Sequence, residues 1–266
     1  MLTESEQRNY LARIADALTR ATRIAKQYAP GTFDVADTGD RNVVTEVDRK
    51  ISDMLHVQLL QPGEGWLSEE DRDDKIRLGK EIVWVVDPLD GTREFVDGIP
   101  EWCISIGLVV DGVPVAGGIC NPATDEMFLG SLDCGVTYNG ELARTSTRSG
   151  LDGAVVLASR QEYKRGEWKC FEQLPFTVRA MGSVAYKLAL VAAGRADATW
   201  TLSPKHEWDV AAGVALVIAA GGVVRCTDDA ELRFNRDTLL FPGLAASSQS
   251  LWPEVAQLIA RTAIAG

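Results

Sequence analysis

The segment Ile82-Val83-Trp84-Val85-Val86-Asp87-Pro88-Leu89-Asp90-Gly91-Thr92 decides how the rest of the chain is read. Its first five residues are apolar and mostly β-branched, which predicts a short buried strand. Such a strand delivers whatever follows it to one end of a sheet, and two carboxylates follow. Pro88 lacks a backbone donor and fixes φ, so the strand is expected not to continue past Asp87-Pro88. Gly91 lets the main chain come close to a ligand. Asp87 and Asp90 can then face one crevice with the Leu89 carbonyl between them, an oxygen set of the kind that hard cations such as Mg2+ select. A helical turn through Arg93-Glu94-Phe95 would aim free N–H groups at the same crevice and suit a phosphate. The plainer alternative is a surface turn, because Asp, Pro and Gly are common in turns. A wholly buried strand feeding two carboxylates argues against it.

Other segments offer acids that can join this pair. Leu67-Ser68-Glu69-Glu70-Asp71 follows Trp66 and can present Glu69 from another strand end, although alone it reads as an exposed acidic loop. Trp208-Asp209 opens a helix rich in Gly and Ala, where an Asp is ordinarily a cap or a dipole partner. Thr45 and Asp48 resemble a capping box, with Asp for the usual Glu, ahead of the apolar face Val47, Ile51, Met54 and Leu55. An earlier helix shows in Leu11, Ile14, Leu18, Ala21 and Ala25, stopped by Pro30-Gly31. Cys103 to Val110 and Val113 to Ile119 predict a hairpin about Asp111-Gly112. In the second half, Ser183 can cap a helix from Val184 to Ala193, with Gly194 at its end. Strands are expected at Ala196 to Leu202 and Val223 to Cys226, a helix at Asp209 to Ala220, and a last helix after Trp252-Pro253. This mixture predicts two closely packed parts, residues 1–149 and 150–266, divided softly near Ser149-Gly150.

Composition narrows the function. The 266 residues include 27 Lys and Arg against 38 Asp and Glu, a net charge of −11, with 46% hydrophobic and 24% charged residues. That is an ordinary globular balance, not a disordered or collagen-like one. The acidic excess argues against nucleic-acid polymers and anionic membranes, which need basic patches. It leaves a small anionic substrate open, because a metal ion inverts the local field. Five well-separated cysteines form neither a disulfide framework nor a zinc finger. No signal-peptide pattern or membrane span is visible, so a cytoplasmic setting is expected. His56 and His206 are the only histidines, and carboxylates must carry any metal chemistry. Walker, G-x-S-x-G and H-E-x-x-H patterns are absent. Asp71, Asp73 and Asp74 suggest a calcium loop, but Lys75 occupies a ligand position and no Gly follows it, so a solvated loop is expected.

Taken together, Asp87-Pro88-Leu89-Asp90-Gly91-Thr92, Trp208-Asp209-Val210-Ala211-Ala212-Gly213 and Ala220-Gly221-Gly222 resemble the signature motifs of the inositol monophosphatase superfamily, lithium-sensitive Mg2+-dependent phosphatases. Leu67-Ser68-Glu69-Glu70, Val44-Thr45-Glu46-Val47-Asp48 and Gly182-Ser183 are similar to its other motifs, in order and across nearly the whole chain. The resemblance implies a layered αβαβα sandwich of the α+β class and a homodimer. It also implies that Glu69, Asp87, the Leu89 carbonyl, Asp90 and Asp209 ligate two or three Mg2+. Thr92, held by Asp48, would position or activate a water together with Glu69, and the Gly91 and Thr92 amides would hold phosphate. Gly182 and Ser183 would lie on the substrate side.

The implied reaction is hydrolysis of a small phosphomonoester. In the inositol enzymes a glutamate seven residues before the Trp-Asp aspartate contacts the ring, and here that position is Leu202. Thr92-Arg93-Glu94-Phe95 is closer to the 3′(2′),5′-bisphosphate nucleotidases, whereas Phe95-Val96-Asp97-Gly98-Ile99-Pro100 looks like the inositol branch. Inositol monophosphate and adenosine 3′,5′-bisphosphate therefore stand level as substrates, ahead of histidinol phosphate and fructose 1,6-bisphosphate. Lys205 and Arg179 are candidate contacts for a second phosphate, beside the plainer reading as exposed basic residues. A non-catalytic regulatory or binding protein on the same fold is the alternative of another class.

Overall fold

The computed structural model describes residues 2–28, 35–37, 43–228, 230 and 232–263. α1 (Glu4–Ala25) opens on a capping box, in which the Glu6 N–H donates to the Thr3 hydroxyl and the Thr3 N–H to the Glu6 carboxylate. An antiparallel pair, β1 (Val35–Asp37) and β2 (Val43–Thr45), leads into α2 (Glu46–Leu59). The expected stop at Pro30-Gly31 and the Thr45 side-chain cap lie outside the described residues and side chains. Next come β3 (Gly65–Ser68), β4 (Ile82–Asp90), α3 (Thr92–Val96), β5 (Cys103–Val110), β6 (Val113–Asn121), β7 (Glu126–Ser131), β8 (Gly135–Tyr138) and β9 (Glu141–Ala143). These strands form one seven-stranded sheet in sequence order, with β3 parallel to β4 and the other neighbours antiparallel.

The second half supplies β10 (Val155–Ser159), α4 (Arg160–Lys164), β11 (Thr177–Met181), α5 (Val184–Ala192), β12 (Ala198–Trp200), β13 (Lys205–His206), α6 (Glu207–Ala219), β14 (Gly222–Cys226), β15 (Leu240–Phe241), β16 (Leu244–Ser248) and α7 (Trp252–Ala263). A five-stranded sheet runs in the order β11-β10-β12-β16-β14, and β13 pairs with β15.

Two strands differ from expectation. β4 runs through Pro88 to Asp90, pairing Asp87 with Ser105 and Asp90 with Cys103 across an irregularity. The donor that Pro88 lacks falls where the ladder opens, so proline interrupts the pairing without ending the strand. The strand expected over Ala196 to Leu202 is shorter, because the Leu202 and Ser203 amides both donate to Glu162 Oε1 at 3.0 Å instead of joining a ladder.

The elements stack as α, β, α, β, α. α1 and α2 cover one face of the large sheet, burying Ile14, Leu18, Ile51 and Leu55. α6 packs on the other face against β4, β5 and β6, and α5 lies beside α6 in the same middle layer, both helices also reaching the second sheet. α7 and α4 close the outer side of that sheet over Trp168, Phe171 and Trp200. The middle layer is dry: every residue of α5 is buried, as befits a helix with no solvent face. A Cβ at Gly117 of β6 would meet the Ala212 carbonyl oxygen at 2.6 Å, so α6 rests directly on the sheet backbone. This close seating fixes the height of the α6 N-terminus relative to the ends of β3 and β4.

Candidate active site

β3 and β4 are parallel and end side by side. Glu69 follows the last residue of β3, and its N–H donates to the Val86 carbonyl at 3.3 Å. Asp87 and Asp90 occupy the end of β4, and Asp209 is the third residue of α6, where its Oδ2 accepts the His206 N–H at 2.8 Å. Glu69, Asp87, Asp90 and Asp209 all line one cleft of about 340 Å³. That volume suits a small metabolite. Asp209 thus caps its helix and faces the cleft at the same time. Asp48 lies behind the quartet, buried on α2, and its charge acts on both Glu69 and Asp87.

These carboxylates resist ionisation. Burial first, then the charges of Asp209, Asp48 and Asp90, push Glu69 up to about 8. Burial and the neighbouring Asp90 push Asp209 up to about 7. Asp87 is raised well above the carboxylate range, by burial and then by Glu69, Asp90 and Asp209. Burial raises Asp90 too, partly offset by the Ser183 hydroxyl and Ala185 N–H, each donating to Oδ2 at 2.7 Å. Four acids crowded at one point destabilise the fold unless a cation neutralises them, and such crowding marks functional sites.

The donor set suits a hard divalent ion. It is all oxygen, and Asp90 Oδ1 and the Glu69 carboxylate accept no hydrogen bond among the described residues. Among the described residues, no three acid, histidine or cysteine side chains stand so as to hold an ion by themselves. Ions here would therefore also need the Leu89 carbonyl, water or phosphate oxygen. The Thr92 hydroxyl donates to that carbonyl at 3.0 Å. Gly91 opens α3 in the left-handed region at φ 97°.

The structure also sorts the substrate-side residues. Gly182, Ser183 and Lys205 line the cleft. Leu202 does not: its amide is turned to Glu162, and its side chain is 41% exposed outside the cleft. Arg179 is exposed on β11 and likewise lines no part of it. Two charged lining residues escaped the sequence reading. Arg160 is paired with Glu101 and lies 3.6 Å from Glu94. Lys187 is buried on α5, where burial pushes its ammonium down to about 8 against the pull of Asp90. The signal for Lys187 was present, as the one charged residue in an otherwise apolar helix.

A buried brace connects the elements carrying Glu69 and Asp209. Arg77, between β3 and β4, donates to both Asp73 oxygens at 3.0 and 2.7 Å, to Asn235 Oδ1 at 2.8 Å and to the Arg236 carbonyl at 2.9 Å. Glu207, the fully buried first residue of α6, accepts the Asn235 and Arg236 amides at 2.7 and 3.1 Å. The acidic loop expected to be merely solvated is thus anchored through Asp73, because Arg77 beneath it is sealed from water.

Comparison with known proteins agrees with this geometry. The model of the inositol monophosphatase family matches residues 6–263. The chain is 33% identical over 227 residues to inositol monophosphatase 1 of Solanum lycopersicum, covering 81% of this chain and 83% of that one. The extragenic suppressor protein suhB from Bartonella henselae superposes with a TM-score of 0.80 at 28% identity, covering 93% of this chain and 97% of the other. CysQ from Bacteroides thetaiotaomicron, described as a bacterial member of the inositol monophosphatase family, gives 0.77 at 28% identity, covering 91% and 98%. No helix among the described residues is long and apolar enough to cross a membrane.

Proposed function

The chain belongs to the inositol monophosphatase family of phosphoric monoester hydrolases, and from that premise we propose that it hydrolyses a small phosphomonoester with the help of Mg2+. The observation that carries this reading is the meeting of Glu69, Asp87, Asp90 and Asp209, from separate elements, in one cleft that favours added positive charge. These four carboxylates and the Leu89 carbonyl would hold the ions. Bound there, divalent ions supply Lewis acidity and a nucleophile at neutral pH. The protein's own groups do the placing. The Gly91 and Thr92 amides at the start of α3 would hold the phosphate, and the Thr92 hydroxyl fixes the Leu89 carbonyl. Asp90 is held at one oxygen by Ser183 and Ala185.

A substrate with a second anionic group, as in adenosine 3′,5′-bisphosphate, fits best. Lys205 reaches the cleft, whereas Leu202, at the position of the ring-binding glutamate, does not. Inositol monophosphate is the second reading, favoured by relatives of that name such as the Solanum lycopersicum protein. Two copies of the chain and a cytoplasmic setting accompany the proposal.

The test is phosphate release in Mg2+ from both substrates, using wild type and the Asp87→Asn, Asp209→Asn and Lys205→Ala variants. Each Asp→Asn change should lower kcat/KM by about a hundredfold or more, as befits loss of a catalytic electrostatic group. Lys205→Ala should raise KM for the bisphosphate alone. Metal-independent turnover in both Asn variants at near wild-type rate would defeat the proposal.

A further inference from the structure

Ser183, a non-glycine residue, sits at φ 48° and ψ 115°, outside the usual basins for an L-residue. Backbone strain of this kind persists only where the surroundings over-determine it. Here it has a visible product: the Ser183 hydroxyl donates to Asp90 Oδ2 while accepting the Tyr186 N–H at 3.0 Å, and the Ala185 N–H donates to the same Oδ2. One Asp90 oxygen is therefore held by two donors from the start of α5. The other accepts nothing among the described residues.

What holds the turn is Lys187. Its Nζ donates to the carbonyls of Ser183 at 2.9 Å, Gly182 at 3.2 Å and, more weakly, Met181 at 3.5 Å. An ammonium has three N–H donors, and all three meet carbonyls of this turn. Lys187 is 2% exposed, on a helix that is otherwise apolar and buried, where an ionised group is costly to place for packing alone. On its far side the turn is fastened by the Gly182 N–H, which donates to Glu101 Oε2 at 2.9 Å, the oxygen that also takes Arg160.

We propose that Lys187 is a positioning residue for the metal ligand Asp90: by gathering the carbonyls of residues 181–183 it locks the strained Ser183 turn, whose two donors aim the free Asp90 oxygen into the cleft. The inference rests on Asp90 being a metal ligand, and the experiment separates the two claims. Mg2+ binding is followed by calorimetry on wild type, Lys187→Met, Ser183→Ala and the double variant, together with thermal midpoints. Val255→Ala, on the buried face of α7, serves as the control for general destabilisation.

Lys187→Met should weaken Mg2+ binding by about tenfold or more, the usual cost of losing an outer partner of a ligand. Val255→Ala should lower the midpoint without changing Mg2+ affinity. Because Lys187 acts through Ser183, the double variant should bind no worse than the weaker single one, instead of showing the product of the two losses. Lys187→Met binding Mg2+ within about twofold of wild type, or losses that multiply, would overturn the proposal. If Lys187→Met does not fold, Ser183→Ala alone decides: affinity within about twofold of wild type removes the route through Asp90. Wild-type protein that takes up no Mg2+ would instead sink the metal reading of the whole cleft.

Discussion

Glu69 works against folding whenever it is ionised without a counter-charge. A carboxyl whose pKa rises on folding keeps its proton in the folded chain over a range where the unfolded chain has lost it. Folding then takes up protons, and stability falls as pH rises through that range. With Glu69 pushed up to about 8 and Asp209 to about 7, the range runs from the ordinary carboxylate values to about pH 8. The metal-free protein should therefore melt at a lower temperature at pH 8 than at pH 5. Glu69→Gln, which keeps the shape and removes the charge, should raise the metal-free midpoint at pH 8 by a few degrees, each kcal/mol being worth about 2–4 °C in a chain of this size. The same variant should gain less from added Mg2+ than wild type. Scanning calorimetry in chelator and in Mg2+ measures both, and a midpoint in Glu69→Gln below that of wild type in chelator would contradict the crowding argument.

At the scale of elements, the parallel pair β3 and β4 and the helix α6 meet through the Arg77–Asn235–Glu207 brace. Arg77→Met removes the cation from Asp73 and leaves the Asn235 side chain and the Arg236 carbonyl short of a partner. Breaking a buried ion pair from one side costs about 3–5 kcal/mol, and urea unfolding should show a loss of that size. A loss below about 1 kcal/mol would mean the brace is no more than a surface pair. Asp87, Asp90 and Glu69 were legible because strand ends are written locally, in an apolar run followed by acids. Arg77 and Glu207 were not. Each looks like a solvent-facing charge in sequence, and becomes a structural anchor only because residues 235–236 cover it. Pro88 misled for the opposite reason, since its effect on the strand depends on whether the partner strand needs its donor at that position. Ser183 as a helix cap was readable, while the strain at that residue was not.

Across the whole molecule, the two sheets part between Ala143 and Val155, yet the layers do not separate there. The large sheet is complete by Ala143, but the helix that covers its second face begins only at Glu207. A fragment of residues 1–149 should therefore bind a dye for apolar surface and aggregate, and light scattering compares it with the full chain. A monodisperse fragment with native-like near-ultraviolet dichroism would refute this. The same arrangement bears on synthesis at the ribosome. Roughly sixty residues are translated between the last strand of the large sheet and the helix that shelters it, about three to twelve seconds at ordinary elongation rates. Through that interval the nascent chain presents a bare β face, the moment at which it most needs a holding chaperone.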